Sequence, residues 1–281
     1  MDLTALAAQA AAAAETSDQS AQEGGFKREV APAGFTTARF VGYVETGHQP
    51  QNPYQGVEKP DAPEVRLTFE LNGPKQINEY QKDGETHTFT NSQREKITIG
   101  VNEKSNFQKL FKAMLAGRSD IKHMAMLLGE GFLIKITHNQ SKDGKKTHAN
   151  MKTDGVWNIQ APAVTDPISN ETTILDVPAA TLPIQLLLQA APTKEQWDSI
   201  FIDGTYTKKE GDKEIQVSKN FLQEECKAAS SFVGSALEAM IAGLSGVADV
   251  IATEPKKEAA PTPEPKPEPT VADDPLAALG L

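Results

Sequence analysis

A helix with one apolar stripe, set between segments of apolar and polar alternation, constrains this chain more than any other feature. Phe107, Leu110, Phe111, Met114 and Leu115 fall at i, i+3, i+4, i+7 and i+8, while Lys104, Lys109 and Lys112 lie off that stripe. Before it, Ile97, Ile99 and Val101 alternate with Lys96, Thr98 and Gly100. After it, Phe132, Ile134 and Ile136 alternate with Leu133, Lys135 and Thr137, and Asp143-Gly144 supplies a hairpin turn. Residues 94–151 therefore read as strand, helix, strand, strand, and this unit needs further strands to close its core.

The upstream sequence supplies them. Residues 35–45 predict a strand with Ala38, Phe40, Gly42 and Val44 on one face and Thr37, Arg39, Val41 and Tyr43 on the other. Residues 47–63 hold four prolines and two glycines with little periodicity, which predicts an irregular excursion with Tyr54 as an anchor or a contact. Residues 64–71 alternate again, Val65, Leu67, Phe69 and Leu71 against Arg66, Thr68 and Glu70. A smaller hairpin, residues 77–80 and 86–89, turns at Asp83-Gly84. The expected class is mainly β (α+β). The order of strand, strand, inserted hairpin, strand, helix, strand, strand resembles an OB-fold, which implies a five-stranded barrel with one central helix and a C-terminal helical extension.

Charge is unevenly placed. Residues 94–152 carry twelve Lys/Arg against five Asp/Glu, although the whole chain has a formal net charge of −10. The alternation places Arg39, Tyr43, Arg66, Thr68, Arg94, Lys96, Thr98, Lys135 and Thr137 outside the apolar set, and the hairpin turn adds Lys142, Lys145 and Lys146. Lys and Arg would neutralise phosphates while Tyr43 stacks on a base, the chemistry of a groove for single-stranded nucleic acid. Ordinary strand amphipathicity would put the same residues outside, and is the competing reading.

Four segments follow from composition: an Ala-rich frayed helix and flexible linker over 1–33, the core over 34–160, an extended connection with covering helices over 161–250, and a disordered Pro/Glu/Lys tail over 251–281. In the third segment, Thr193 and Gln196 mark a capping box before Trp197, and Ser218 is expected to cap one longer helix. The single cysteine, Cys226, excludes an intramolecular disulfide framework and points to the cytoplasm. No run of about eighteen apolar residues predicts a membrane span. There is no GxxxxGK[ST], HExxH, GxSxG or paired-Cys zinc pattern, so neither an enzyme, a cofactor nor a metal is expected. With the turn at 143–144, His138 pairs with Ala149 and His148 with Asn139, which separates the two histidines.

The tail ends Asp273-Asp274-Pro275-Leu276-Ala277-Ala278-Leu279-Gly280-Leu281, two carboxylates before an apolar tip. In its core order and this tip the chain resembles bacterial and phage single-stranded DNA-binding proteins, and the phage-encoded type in particular. The resemblance implies binding of single-stranded DNA, a role in replication, recombination or repair, and recruitment of partner proteins through Asp273, Asp274, Leu276, Leu279 and Leu281. This tip has fewer carboxylates than the family's usual one and no terminal aromatic. A homo-oligomer and RNA binding stay open, as does the alternative of a virion assembly protein whose ends are interaction arms.

Overall fold

Every alternating segment joins one sheet built on a single long strand. The computed structural model describes residues 30–82, 84–141, 143–210 and 213–253, with side chains described outside 82, 209, 210, 213 and 245–253. Strands β1 (Gly34–Tyr54) and β2 (Val57–Leu71) form a long hairpin, β3 (Ile77–Lys82) and β4 (Glu85–Thr90) a smaller one, and β5 (Ser92–Thr98) returns along β2. Helix α1 (Asn106–Leu115) precedes β6 (Gly131–Gln140) and β7 (Thr147–Asn150). Short strands follow: β8 (Lys152–Thr153), β9 (Val156–Trp157), β10 (Ile159–Gln160), β11 (Ala163–Thr165), β12 (Thr172–Ile174) and β13 (Gln185–Leu187). Then come α2 (Lys194–Ser199), the hairpin of β14 (Thr205–Glu210) and β15 (Lys213–Ser218), α3 (Phe221–Ala228) and α4 (Ala236–Thr253). The chain divides into a unit over Met1–Ile241 and a unit over Ala242–Leu281, whose described part is the continuation of α4.

The protein is mainly β, with a large antiparallel sheet ordered β10-β6-β1-β2-β5; β7 extends β6, and β13 runs parallel to β1. The sheet stays open. Among the described residues no backbone pairing joins β5 to β7, so there is no closed five-stranded barrel, and one side-chain bond, Gln93 Nε2 to the Ala149 carbonyl at 3.4 Å, crosses the gap. Ser105 caps α1, its hydroxyl accepting from the Gln108 N–H at 3.2 Å. The stripe residues Phe107, Leu110 and Met114 are buried with Phe40, Leu67, Phe69, Leu71, Phe132, Ile134 and Ile136. Phe40 stacks on Phe69 with centroids 5.0 Å apart, and Phe132 meets Phe69 edge-on at 6.4 Å.

Four expectations change. Residues 47–63 are no loose excursion: the β1–β2 ladder continues through Gly47↔Glu64, His48↔Pro63 and Gln51↔Lys59 to Tyr54↔Val57. Four prolines fit because this outer part of the ribbon is interrupted by register shifts, where a missing N–H does no harm. On β1, Phe40 opposes Phe69 while Gly42 already opposes Thr68, so Val41 is an extra residue and reverses the facing of Gly42 to Glu45, up to the next register shift. The β5 alternation stops at Thr98, and Val101 is 95% exposed. Helix α3 begins after Asn220, with the Ser218 hydroxyl accepting from the Asn220 N–H, and the expected single helix is broken between Ala228 and Ala236. The register His138↔Ala149 and Asn139↔His148 is as expected. The frayed N-terminal helix, most of its linker, and the tail beyond residue 253 lie outside the described residues, while 251–253, expected to begin the tail, end α4.

The outward side of the sheet carries a second, smaller apolar cluster of Val44, Leu187, Trp197, Ile200, Leu222, Cys226 and Leu237. Beside it, residues 177–182 cross the sheet as a strap. Arg39 donates to the carbonyls of Val177, Pro178 and Gly129, and Glu70, fully buried, accepts from the N–H groups of Thr181 and Leu182 and from the Thr181 hydroxyl. Arg39 and Glu70 are themselves cross-strand partners. The strap lies so close to β6 that a Cβ on Gly131 would meet the Val177 side chain at 2.7 Å.

Candidate nucleic-acid interface

The β2–β5 ladder sets Arg66 directly opposite Lys96 and Thr68 opposite Arg94. Like charges facing each other across a ladder repel, so this row needs a counter-charge. Glu225 on α3 supplies it: Arg66 binds its carboxylate through both Nε and Nη2, the latter at 2.9 Å, and Lys96 Nζ lies 3.3 Å from Glu225 Oε1 and 2.6 Å from Glu64 Oε2. The Arg66 and Lys96 side chains keep 33% and 41% of their surface in solvent, so the row is neutralised yet open. The Arg66 guanidinium also lies 5.6 Å from the Phe221 ring centroid. On the other side of β5, burial raises the Glu95 pKa above the ordinary carboxylate value, opposed by the Gln93 amide and Lys152.

From Arg94 the row opens into a groove of about 770 Å³ lined by Tyr80, Phe89, Thr90, Ser92, Arg94, Leu182 and Lys219. The β3–β4 hairpin builds its aromatic wall: Tyr80 opposes His87 across the ladder and stacks on it at 5.3 Å, and Phe89 sits 6.0 Å from Tyr80. The strap contributes Leu182. Arg94 and Lys219 are exposed, and Lys219 forms no salt bridge among the described residues. Half-buried aromatics beside exposed cations in an open trough suit an extended polyanion with planar bases, because each base offers a face to a ring and each phosphate a charge to a cation.

Of the outward residues expected to bind, Arg66, Arg94 and Lys96 share this face. Tyr43 and Arg39 are not open to a ligand there. Tyr43 is 1% exposed: the extra residue at Val41 turns it inward opposite Leu67, where its ring meets His123 edge-on at 5.2 Å and its hydroxyl donates to Glu45 Oε1 at 3.1 Å. Burial holds its phenol protonated, far above the ordinary tyrosine pKa. No base can stack on it. Arg39 is outward but committed to the three strap and turn carbonyls, with no donor nitrogen left idle. Lys135 is exposed on β6, its Nζ 5.5 Å from the Phe35 ring centroid, away from the β2–β5 pair in the strand order. Lys145 and Lys146 are exposed in the turn beyond β6, and Lys142 and the five tail residues lie outside the described residues.

Tyr80, Phe89 and Lys219 are functional candidates that the alternation of the main strands did not single out. For the first two the signal was present: an Asp83-Gly84 turn pairs Tyr80 with His87 by counting outward, and puts aromatics on both arms of one hairpin. Lys219 has no local signal, since it reaches the groove through the tertiary placement of the chain after β15. Burial pushes the Cys226 thiol up to about 12, which keeps it a packing residue at neutral pH. Among the described residues no group of His, Cys, Asp and Glu could hold a metal ion, and no helix is long and apolar enough to cross a membrane. Comparison with protein-family models, with curated proteins and with solved structures found no match.

Proposed function

We propose that this chain binds single-stranded DNA without strong sequence preference, protects it, and recruits replication or recombination proteins through its acidic, apolar-tipped C-terminus. The observation that carries the reading is the groove in which Arg94 and Lys219 stand beside Tyr80 and Phe89, continuous with the Arg66 and Lys96 row. The aromatics would stack on bases of any identity, at about 1–3 kcal/mol per base, and the cations would neutralise phosphates. The strand order supports an OB-like core: β1 pairs with β2 and β6, β5 follows β2, β7 follows β6, and α1 lies in sequence between β5 and β6. On this reading the chain is a relative of the phage-type single-stranded DNA-binding proteins and works in the cytoplasm, where its lone buried cysteine is at home.

Fluorescence anisotropy of a labelled oligo-dT at two salt concentrations, with unlabelled duplex as competitor, tests it. Binding should be tight, should resist the duplex, and should weaken with salt by about 0.7 in the log–log slope for each phosphate neutralised. No binding at low salt would overturn the reading and favour an assembly protein.

A further inference from the structure

The outward face continues past the strap. Where Val177 and Pro178 cover it, the β1–β6 pair presents Arg39↔Gly131; four residue pairs further on, on the same face, it presents Phe35↔Lys135, both exposed. Phe35 is 70% exposed, more than any other aromatic side chain among the described residues. An isolated phenylalanine on a strand surface needs no explanation, but this one lies under a lysine: Lys135 Nζ is 5.5 Å from its ring centroid and forms no salt bridge among the described residues. From Lys135, β6 leads to its turn over about 17 Å, at roughly 3.3 Å per residue. There Lys145 and Lys146 are exposed and form no salt bridge among the described residues, and the one described carboxylate of the turn, Asp143, accepts from the Ser141 hydroxyl and the Lys145 N–H.

We propose that Phe35 and Lys135 form a second contact for single-stranded nucleic acid, so that one molecule holds two strand segments, one over β5 and its hairpin and one over the β1–β6 pair. This rests on the proposed function. The chemistry is that of the groove, a ring for a base face and exposed cations for phosphates. What makes the contact separate is its place in the sheet. Phe35 and Lys135 stand on the β1–β6 pair and the groove on β5 and its hairpin, with β2 and the Glu70 fastening of the strap between them in the order β6-β1-β2-β5. A short strand lying along β5 through the groove therefore leaves Phe35 uncovered. A chain with two such surfaces could bring two segments of DNA together, a capacity that a single groove does not provide.

Titration of the full-length chain with a labelled dT hexamer, short against the span of both surfaces, tests this. Two hexamers per chain are expected. The exposed-surface variant Phe35→Ala/Lys135→Glu should bind one, with groove affinity unchanged, and Arg94→Glu/Lys219→Glu should keep the Phe35 site alone. In that second background Phe35→Ala should weaken the remaining binding roughly 5- to 150-fold, the effect of removing one base stack. Phe35→Trp there should show indole quenching on addition of the hexamer. One hexamer per wild-type chain, or two with F35A/K135E unaffected, would overturn the second contact and leave the groove standing. No hexamer bound to any variant or to the wild type would overturn both.

Discussion

The strap seals one part of the outward face of the sheet and leaves the part around Arg66 and Lys96 open, and the two use the same residue types differently. In the sealed part, Arg39 and Glu70 are opposed across the β1–β2 ladder, and each is satisfied by backbone: carbonyls for the guanidinium, N–H groups for the carboxylate. In the open part, Arg66 and Lys96 are also opposed across a ladder, but their counter-charges are the side chains of Glu225 and Glu64. A charge tied to buried backbone has no alternative partner, and removing it orphans several polar groups. Arg66 and Lys96 keep a third or more of their side-chain surface in solvent while Glu225 and Glu64 keep only 15% and 8%, so a phosphate oxygen can approach the cations from the solvent side. The partner of each arginine, rather than its exposure alone, separates scaffold from candidate interface.

The comparison is broken most severely through Tyr43. Tyr43→Ala should cost about 3–5 kcal/mol of stability, the range for removing a buried aromatic, and should leave the oligonucleotide affinity of the folded fraction unaltered; urea unfolding followed by anisotropy under folding conditions measures both. Weaker binding with stability intact would mean that the ring is a base platform after all. Arg39→Ala comes next, at about 1.5–3 kcal/mol for hydrogen bonds made by a charged group, again without weakening oligo-dT binding. Its signature should be faster amide exchange at Thr181 and Leu182, whose N–H groups the strap holds on Glu70. Glu225→Gln is the mildest: about 0.5–1.5 kcal/mol less stable, since the amide keeps one acceptor for Arg66 while Arg66 and Lys96 repel with less compensation, yet tighter in DNA binding with a steeper salt dependence. A Glu225→Gln protein that bound DNA more weakly would place Glu225 outside any exchange with phosphate.

Much of this arrangement is legible in the residues, and its limits have physical causes. Alternation is a rule of period two, and it holds wherever the ladder is unbroken: Val65 to Leu71 face the core as read, and Arg66, Arg94 and Lys96 face out. The same rule carried through β1 puts Tyr43 on the wrong face, because one extra residue at Val41 inverts the positions up to Glu45, and no local signal announces that residue. The role of Arg39 depends on a segment about 138 residues away in sequence, so no window around it could reveal the strap. The opposite holds for Tyr80 and His87, where a two-residue turn fixes which aromatics meet. Proline content misled at 47–63, since prolines mark an interrupted ribbon as readily as a loop.

The central claim is that the open part of the face, and not the sealed part, meets nucleic acid. The most direct measurement is the salt dependence of oligo-dT affinity for the wild type, Arg94→Glu/Lys219→Glu and Arg39→Ala, each verified as folded by circular dichroism. The groove variant should bind far more weakly, and its log–log slope should become shallower by about 0.7 for each phosphate it no longer neutralises, while Arg39→Ala keeps the wild-type slope. Full affinity in the groove variant, or an equal weakening in Arg39→Ala, would contradict the account.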